Sequence, residues 1–129
     1  MRLLTDMTKL IFAVHKHHAT HLHYDLRLEM KGVLESWAVP KGMPLKKGEK
    51  RLAIITEPHS ISYAKFCGEI PEGNYGAGKV EIWDSGTYEP IEVSANKIHV
   101  KFSGKKLKGE YALIKFNRIG EKNWLVFKK

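Results

Sequence analysis

Polar and apolar residues alternate through residues 21–30, and this alternation limits the fold more than any other feature of the sequence. The odd positions of the segment carry the polar residues His21, His23, Asp25, Arg27 and Glu29. The even positions are leucine, tyrosine or methionine. Because successive side chains of a strand point to opposite faces, the segment is predicted to be a β-strand with one polar and one apolar face.

The rest of the chain also indicates strands, since no segment of a dozen residues keeps a helical period of 3.6. Eight strands are predicted, at residues 10–16, 21–30, 33–39, 51–56, 79–83, 97–102, 111–116 and 124–128. Small all-β chains remove unpaired strand edges by closing the sheet. We therefore expect an all-β, compact, closed antiparallel barrel of about eight strands, with the polar row facing a metal-binding interior.

Short connections favour hairpins between successive strands. Lys31-Gly32 is predicted to be a two-residue turn, in which glycine takes the positive φ that such turns need. Residues 103–109 and 117–123 are predicted to join the strands of a C-terminal meander. Two longer connections, residues 40–50 and 67–78, are candidates for functional loops on a rigid scaffold.

Size favours a single domain, and the positive charge fits either a nucleic-acid partner or a protein kept soluble by its charge. A chain of 129 residues is predicted to form one domain, residues 1–129. Its 22 Lys and Arg outnumber 14 Asp and Glu, so the net charge of +8 attracts polyanions. Cys67, the single cysteine, excludes an intrachain disulfide and is expected to be a buried filler. Without a signal peptide or spanning segment, we expect a cytoplasmic protein that does not bind membranes.

The polar row has the composition of a metal and phosphate site. His23 and Asp25 lie two residues apart on a strand, about 6.6 to 6.8 Å, so both could lean onto one ion. Imidazole and carboxylate without thiolate favour Mn, Fe or Zn. Arg27 continues the row and offers a planar fork to a bound phosphate. A further ligand from His15, His17 or His18 remains open on spacing alone.

The other candidate motifs are weaker. His59 is followed four residues later by Tyr63, and His99 is interpreted as structural. The glycine-rich segment EGNYGAG precedes a strand rather than a helix, so a Walker-type phosphate loop is not predicted. Three tryptophans within strand patterns are expected to belong to the core: Trp37, Trp83 and Trp124.

Long segments of the sequence resemble a known family. The matching segments are HKHHATHLHYDLRLEMKGVLESWAVPKG and KRLAIITEPHSISYAKFCGEIPEGNYGAGKVEIWDSGTY. They closely resemble the 3′-phosphoesterase domain of bacterial DNA ligase D and its free-standing archaeal relatives. The densest motifs are HLHYDLRLE, SWAVPKG and IPEGNYGAG.

The resemblance implies a manganese-dependent repair enzyme acting at the 3′ ends of DNA or RNA–DNA primer-templates. Such enzymes remove a 3′-terminal ribonucleoside and then the remaining 3′-phosphate, and a DNA ligase with other end-joining proteins would be their partners. We expect a monomer. By motif, the implied metal ligands are His17, His23 and Asp25. The implied catalytic phosphate-site residues are Arg27, His59 and Tyr63, and the further basic positions are Lys41 and Arg51.

Two other functions compete with this interpretation. A cupin-type metalloenzyme is also a small barrel with a His-x-His motif, but here Glu29 follows the second histidine too late and the second cupin motif lacks its histidine. A non-catalytic barrel that binds single-stranded nucleic acid would explain the lysine-rich loops. It does not explain Asp25 and Glu29, because carboxylates repel phosphates unless a cation lies between them.

Overall fold

The computed structural model of the protein describes residues 10–74, 77–116 and 122–129, which form nine strands and one 3₁₀-helix. The strands are β1 (Leu10–His18), β2 (Leu22–Met30), β3 (Val33–Val39), β4 (Lys50–His59), β5 (Gly68–Ile70), β6 (Gly78–Val93), β7 (Lys97–Ser103), β8 (Lys108–Lys115) and β9 (Asn123–Lys128). The 3₁₀-helix, Ile61–Lys65, lies between β4 and β5.

Eight of these strands close into an antiparallel barrel. The strand order around the ring is β1-β2-β3-β4-β9-β8-β7-β6, and pairing of β6 with β1 completes it. The short strand β5 pairs with the first residues of β6 and lies outside the ring. The prediction of an all-β closed barrel of about eight antiparallel strands is confirmed.

Apolar side chains from every strand of the ring fill the barrel interior. The cluster includes Phe12, Val14, Leu26, Leu28, Trp37, Val39, Ala53, Tyr88, Ile98, Val100, Phe102, Tyr111, Leu113, Trp124 and Val126. Since Leu26 and Leu28 of β2 point into this cluster, alternation directs Asp25 and Arg27 to the opposite, outer side of the wall.

Asp25 and Arg27 of the polar row are nevertheless buried, because the 3₁₀-helix covers this face of the wall. A second apolar cluster contains Ala13 of β1, Leu34 of β3 and Ala64 of the helix, with Tyr63 packed against them. This cluster fastens the helix to the outer face of the wall. The expected burial is confirmed for Asp25 and Arg27, and the predicted location of the row is corrected from the barrel interior to the outer face of its wall. Alternation separates the two faces of a strand, but it does not tell which face meets the core and which is covered from outside.

A β-bulge in β6 changes which side chains of this strand face the barrel interior and which face outward. Val14 pairs with Asp84 and His15 with Ile82, so the register shifts by one residue between them. Val80 therefore faces the covered outer side, whereas Tyr88, an even number of residues later, lies in the interior.

The structure confirms several predicted connections. Lys31 has φ 52° and Gly32 has φ 84°, as in the predicted two-residue turn between β2 and β3. Strands β6 to β9 form the predicted meander. Most of the predicted turn at residues 117–123 lies outside the described residues.

Other sequence predictions need correction. β6 is 16 residues long instead of five, because Pro90 and the bulge do not interrupt its pairing. Part of the predicted loop at residues 67–78 forms β5. Cys67, expected to be buried, is exposed just before that strand. Trp37 and Trp124 are buried as expected, whereas Trp83 is half-buried at the edge of the core. Within the described residues, no helix has the length and apolar character needed to cross a membrane.

Candidate metal and phosphate site

Strand register brings polar residues of three strands onto one surface. In the pairing of β1 with β2, His17 lies directly opposite His23. In the pairing of β2 with β3, Arg27 lies opposite Ser36, and Asp25 stands between these two pairs along β2. Directly opposite residues of antiparallel strands have Cβ atoms about 4.5–5.5 Å apart, so their polar groups can meet.

Three of these side chains form a cluster, here called the ligand cluster: His17, His23 and Asp25. Nδ1 of His17 lies 3.3 Å from Nε2 of His23 and 3.7 Å from Oδ2 of Asp25. Nε2 of His23 lies 3.4 Å from Oδ1 of Asp25. The three ligand atoms lie within 4.8 Å of one another, so a single ion can contact all of them.

Backbone carbonyls orient both imidazoles of the ligand cluster. Nε2 of His17 lies 3.2 Å from the carbonyl oxygen of Ala77, and Nδ1 of His23 lies 3.1 Å from that of His21. A carbonyl only accepts, so each of these nitrogens donates its proton, and in a neutral ring the other nitrogen carries the lone pair. That other nitrogen faces Asp25 in both rings. It can bind a metal ion there, and without an ion Nε2 of His23 can instead carry a proton and donate it to Asp25.

The close approach of Ala77 to His17 depends on the next residue, Gly78. Gly78 has φ +120°, and a Cβ on it would overlap the carbonyl oxygen of His18. Glycine therefore allows the start of β6 to pass against the end of β1. This contact holds the carbonyl that orients His17.

The electrostatics of the ligand cluster also favour a bound cation. Burial tends to raise the pKa of Asp25, but the hydrogen bond from His23 and the charge of Arg27 outweigh it, so the pKa is lowered. The hydrogen bond to Asp25 raises the pKa of His23 against the effect of burial. A carboxylate and two lone pairs directed at one point repel each other unless a proton or a metal ion lies between them. The donor set fits Mn²⁺, Fe²⁺ or Zn²⁺.

Arg27 lies beside the ligand cluster with its guanidinium held in place. Its Nε donates to Nδ1 of His15 at 2.9 Å, and its Nη1 donates to Oγ of Ser36 at 2.8 Å. Nη2 lies 3.6 Å from Oδ2 of Asp25, and the guanidinium carbon lies 4.9 Å from the ring centroid of Tyr63. Arg27 is only 5% exposed. Nη2 remains available for the oxygen atoms of a bound anion.

His15 supports Arg27 instead of joining the ligand cluster. It is fully buried, and burial followed by the charge of Arg27 lowers its pKa to about 4. The imidazole is therefore neutral at neutral pH, and its Nδ1 can accept the hydrogen bond from Arg27. Strand spacing left His15, His17 and His18 equal as ligand candidates, and the family resemblance selected His17. The structure places His17 at the cluster, His15 at Arg27, and His18 against Glu81 at 2.9 Å.

His59 and Tyr63 close the other side of the site. Their rings stack with centroids 4.5 Å apart, and Tyr63 stacks on Phe66 at 5.0 Å. Nδ1 of His59 lies 3.2 Å from Nη1 of Arg27 and 3.1 Å from the carbonyl oxygen of Glu57. Burial and then the charge of Arg27 lower the pKa of His59, and burial raises the pKa of Tyr63. Both groups are therefore neutral at neutral pH, and each can donate a hydrogen bond.

A cavity of about 330 Å³ opens over these groups. Its lining consists of His17, Ala19, His23, Asp25, Arg27, Ala38, Thr56, Glu57, His59, Tyr63, Ile70 and Val80. Six of the eight residues predicted for the site therefore share one cavity. Thr56, Glu57 and the covering segment were not predicted, because strand periodicity does not reveal which connection folds back over a sheet.

The remaining two predicted site residues, Lys41 and Arg51, do not line the cavity. Nη1 of Arg51 donates to the carbonyl oxygen of Lys41 at 2.6 Å, and its Nη2 lies 3.4 Å from Oε2 of Glu49. The side chain of Lys41 is exposed. The structure thus brings Lys41 and Arg51 next to each other, outside the group formed by Arg27 and the ligand cluster.

The two ends of the polar row take other roles. His21 is exposed and contributes its carbonyl oxygen to His23. Glu29 accepts a hydrogen bond from the backbone N–H of Ile11 at 3.0 Å. His99, interpreted as structural, pairs with Glu110 on the neighbouring strand at 2.7 Å. The candidate site is therefore formed by the middle of the row.

Two histidines and an aspartate lie beside a buried arginine on this barrel wall. A protein with such a site belongs to the class of candidate metal-dependent enzymes that act on phosphate esters. Comparison with known families supports chemistry on phosphate esters. Residues 15–115 match the family model described as the DNA Ligase D 3′-phosphoesterase domain. The chain belongs to this family, and membership supports a role in healing nucleic-acid 3′ ends.

The relatives are longer, multifunctional end-joining proteins, and this chain matches a small part of each. The chain is 50% identical over 125 residues to the multifunctional non-homologous end joining protein LigD of Mycolicibacterium smegmatis. This alignment covers 88% of the chain and 16% of that protein. It is 45% identical over 130 residues to LigD of Pseudomonas aeruginosa, covering 95% and 16% respectively. For LigD of Mycobacterium tuberculosis the identity is 49% over 110 residues, covering 82% and 14%. The chain thus spans about a sixth of the length of these relatives.

Proposed function

We propose that the protein is a Mn²⁺-dependent 3′-phosphoesterase of nucleic acids. It removes a 3′-terminal ribonucleoside from a primer strand, leaving a 3′-phosphate, and then removes that phosphate to leave a 3′-hydroxyl. The observation that carries this proposal is the position of the Arg27 guanidinium, 3.6 Å from Asp25 of the ligand cluster. One phosphate can then lie against both an ion and a guanidinium.

His17, His23 and Asp25 would hold the ion in this site. When bound, a divalent metal supplies positive charge that polarises a phosphate ester and lowers the pKa of water. The donor set also admits other divalent transition metals, and Mn²⁺ is proposed on the family resemblance.

Arg27 neutralises the charge that grows on the phosphate oxygens as the ester bond to phosphorus breaks. His15 and Ser36 hold the guanidinium in one orientation, so little reorganisation is needed during the reaction. A neutral His59 donates a hydrogen bond to a phosphate or leaving oxygen, and the hydroxyl of Tyr63 positions the phosphate. Water provides the oxygen that joins phosphorus, and the leaving oxygen gains a proton. Lys41 and Arg51 are proposed as further phosphate contacts outside the cavity.

The proposed substrates are 3′ ends of DNA or of RNA–DNA primer-templates. The cavity volume of about 330 Å³ suits a phosphate with part of its nucleoside, whereas a duplex must remain outside. The proposed partners are a DNA ligase and other end-joining proteins, with the protein acting as a monomer in the cytoplasm. These proposals rest on the family and on the basic charge.

A labelled primer with one 3′-terminal ribonucleotide tests the function directly. With Mn²⁺ we expect two successive products, a 3′-phosphate strand and then a 3′-hydroxyl strand, and no product in the presence of a chelator. A primer that is bound but never shortened would instead support the non-catalytic nucleic-acid-binding alternative. The family match leaves the cupin-type alternative without support.

A further inference from the structure

A second groove lies on a different part of the barrel. Its lining consists of Lys47, Lys101, Lys108, Gly109, Glu110, Lys128 and Lys129, and its volume is about 550 Å³. We call it the lysine groove. It runs across β7, β8 and β9, and Lys47 joins it from the connection between β3 and β4.

The lysine groove faces away from the cavity over the ligand cluster. In the ring of eight strands, β8 is four strands from β2 in either direction, so the two strands lie on opposite walls. In β8, Tyr111 and Leu113 point into the interior, so Lys108 and Glu110 lie on the outer side. A phosphate in the cavity and a phosphate in the groove therefore belong to separate binding events or to distant parts of one ligand.

The positive charge of the lysine groove exceeds the negative charge around it. Five lysines surround one carboxylate, that of Glu110, which is bound to His99 at 2.7 Å. Among the described residues, none of the five lysines has an ion-pair partner within 4.0 Å. Other surface cations do have partners, such as Lys79 with Glu81 and Lys97 with Glu92. A concave surface of one charge sign concentrates anions.

The backbone beneath the lysine groove is held in place. Lys47 forms an isolated β-bridge with Lys128, which ties its loop to β9. The N–H of Lys129 donates to the carbonyl oxygen of Glu110 at 2.9 Å. The lysines therefore project from a fixed frame. The nearby ring of Tyr111 is fully buried below Lys128, so it offers no face for stacking a base.

We infer that the lysine groove binds the phosphate backbone of a duplex DNA segment other than the end that occupies the cavity. Lysine ammonium groups contact phosphates as point charges without reading sequence. This inference rests on the proposed function and extends it. While a broken 3′ end occupies the cavity, the lysine groove on the opposite wall would hold a second duplex region. Its test does not require catalysis.

The experiment measures binding of a blunt, 3′-hydroxyl duplex by fluorescence anisotropy over a series of salt concentrations, with the metal chelated. The variant K101S/K108S removes two groove charges, and K115S/K122S removes two charges elsewhere, Lys115 lying on β8 outside the groove lining. Because K101S/K108S removes two ammonium groups that would bind phosphates, we expect it to bind about tenfold more weakly and its salt slope to fall by about 1 to 2. The control should change less than twofold.

Two further measurements separate this inference from the proposed function. Phosphate release from a short 3′-phosphorylated oligonucleotide should be equal in K101S/K108S and the unmodified protein, because Lys101 and Lys108 are remote from the cavity. If K101S/K108S does not fold, K47S/K129S replaces it. Unchanged duplex affinity and salt slope in a folded groove variant would overturn the inference, as would stronger competition by polyglutamate than by DNA. If release fails in every form while groove variants still weaken duplex binding, the proposed function fails and the groove assignment stands.

Discussion

Nε of Arg27 donates a hydrogen bond to Nδ1 of His15 over 2.9 Å, and both side chains are buried in the barrel wall. The partner of the guanidinium at this nitrogen is thus a neutral imidazole and not a carboxylate. A neutral acceptor orients the arginine without adding a second carboxylate to that of Asp25, so more of the positive charge remains for a bound phosphate.

Replacement of His15 tests this support. His15→Leu leaves Nε of Arg27 buried and unpaired, which typically costs about 1–3 kcal/mol, so the guanidinium should turn away and kcat should fall about tenfold or more. His15→Asn keeps an acceptor close to the position of Nδ1 and should restore most of kcat. Mn²⁺ affinity should be equal in both variants. Equal kcat values of the Leu and Asn variants would show that the hydrogen bond between Arg27 and His15 does not contribute to catalysis.

Removal of a metal ligand should abolish metal binding without unfolding the barrel. His23→Ala is expected to reduce Mn²⁺ affinity by about 100-fold or more, since the loss of even an outer-shell partner typically costs 10–100-fold. Titration calorimetry measures the affinity. His21→Ala is the matched control, because His21 belongs to the same row but contributes its carbonyl oxygen and not its ring. Equal affinities in the two variants would exclude His23 as a ligand.

Arg27→Lys separates phosphate recognition from metal binding. Lysine keeps the charge but lacks the planar fork, and it cannot contact His15, Ser36 and a phosphate together. We expect kcat for release of a 3′-phosphate to fall by about 100-fold, as when a single stabilising donor is lost, with Mn²⁺ affinity retained. Unchanged kcat in Arg27→Lys would contradict the role of Arg27. Loss of both kcat and Mn²⁺ affinity would indicate that Arg27 mainly organises Asp25.

A buried carboxylate outside the site is predicted to stabilise the barrel. Asp84 accepts backbone hydrogen bonds from Lys105, Lys106 and Leu107 at 2.8–3.0 Å and so holds the turn between β7 and β8. Asp84→Asn should lower the free energy of unfolding by about 2 kcal/mol, because an amide replaces a charged acceptor. Urea denaturation measures this loss. Glu89→Gln, an exposed change on the same strand, should have no measurable effect.

Stability should decline at high pH because of Tyr111. Its hydroxyl donates to the carbonyl oxygen of Pro44, and burial raises its pKa to about 12. Above pH 10 the unfolded chain loses this proton while the folded protein keeps it, so the contribution to stability is complete below pH 10 and is lost as the pH rises towards 12. The total loss over this range is about 3 kcal/mol.

Tyr111→Phe provides the comparison for this pH dependence. It should be less stable at neutral pH by about 1 kcal/mol, through loss of one hydrogen bond, and its decline between pH 10 and 12 should be shallower. Denaturation midpoints at pH 8, 10 and 11 measure both effects. Parallel curves for the two proteins would show that Tyr111 does not titrate differently in the folded state. Burial also raises the pKa of Tyr88, so Tyr88 should add to the loss of stability at high pH in both the unmodified protein and Tyr111→Phe.

Properties confined to one strand could be predicted from the chain alone. The period of two places His23, Asp25 and Arg27 on one face because successive side chains of a strand alternate by covalent geometry. The turn at Lys31-Gly32 follows from the φ angles that its residues tolerate. These local features already indicate a metal ion beside a phosphate-binding arginine.

Contacts between residues distant in sequence could be assigned only from the assembled barrel. Strand register separates His17, which meets His23, from His15, which meets Arg27, and no local rule distinguishes the two. The covering 3₁₀-helix brings Tyr63 over a wall formed by residues far away in sequence. It buries Asp25 and Arg27 on the outer face of the barrel instead of in its interior. Such placements follow from the packing of apolar faces and the closure of the sheet, since both minimise a free energy that belongs to the whole fold and not to any single segment.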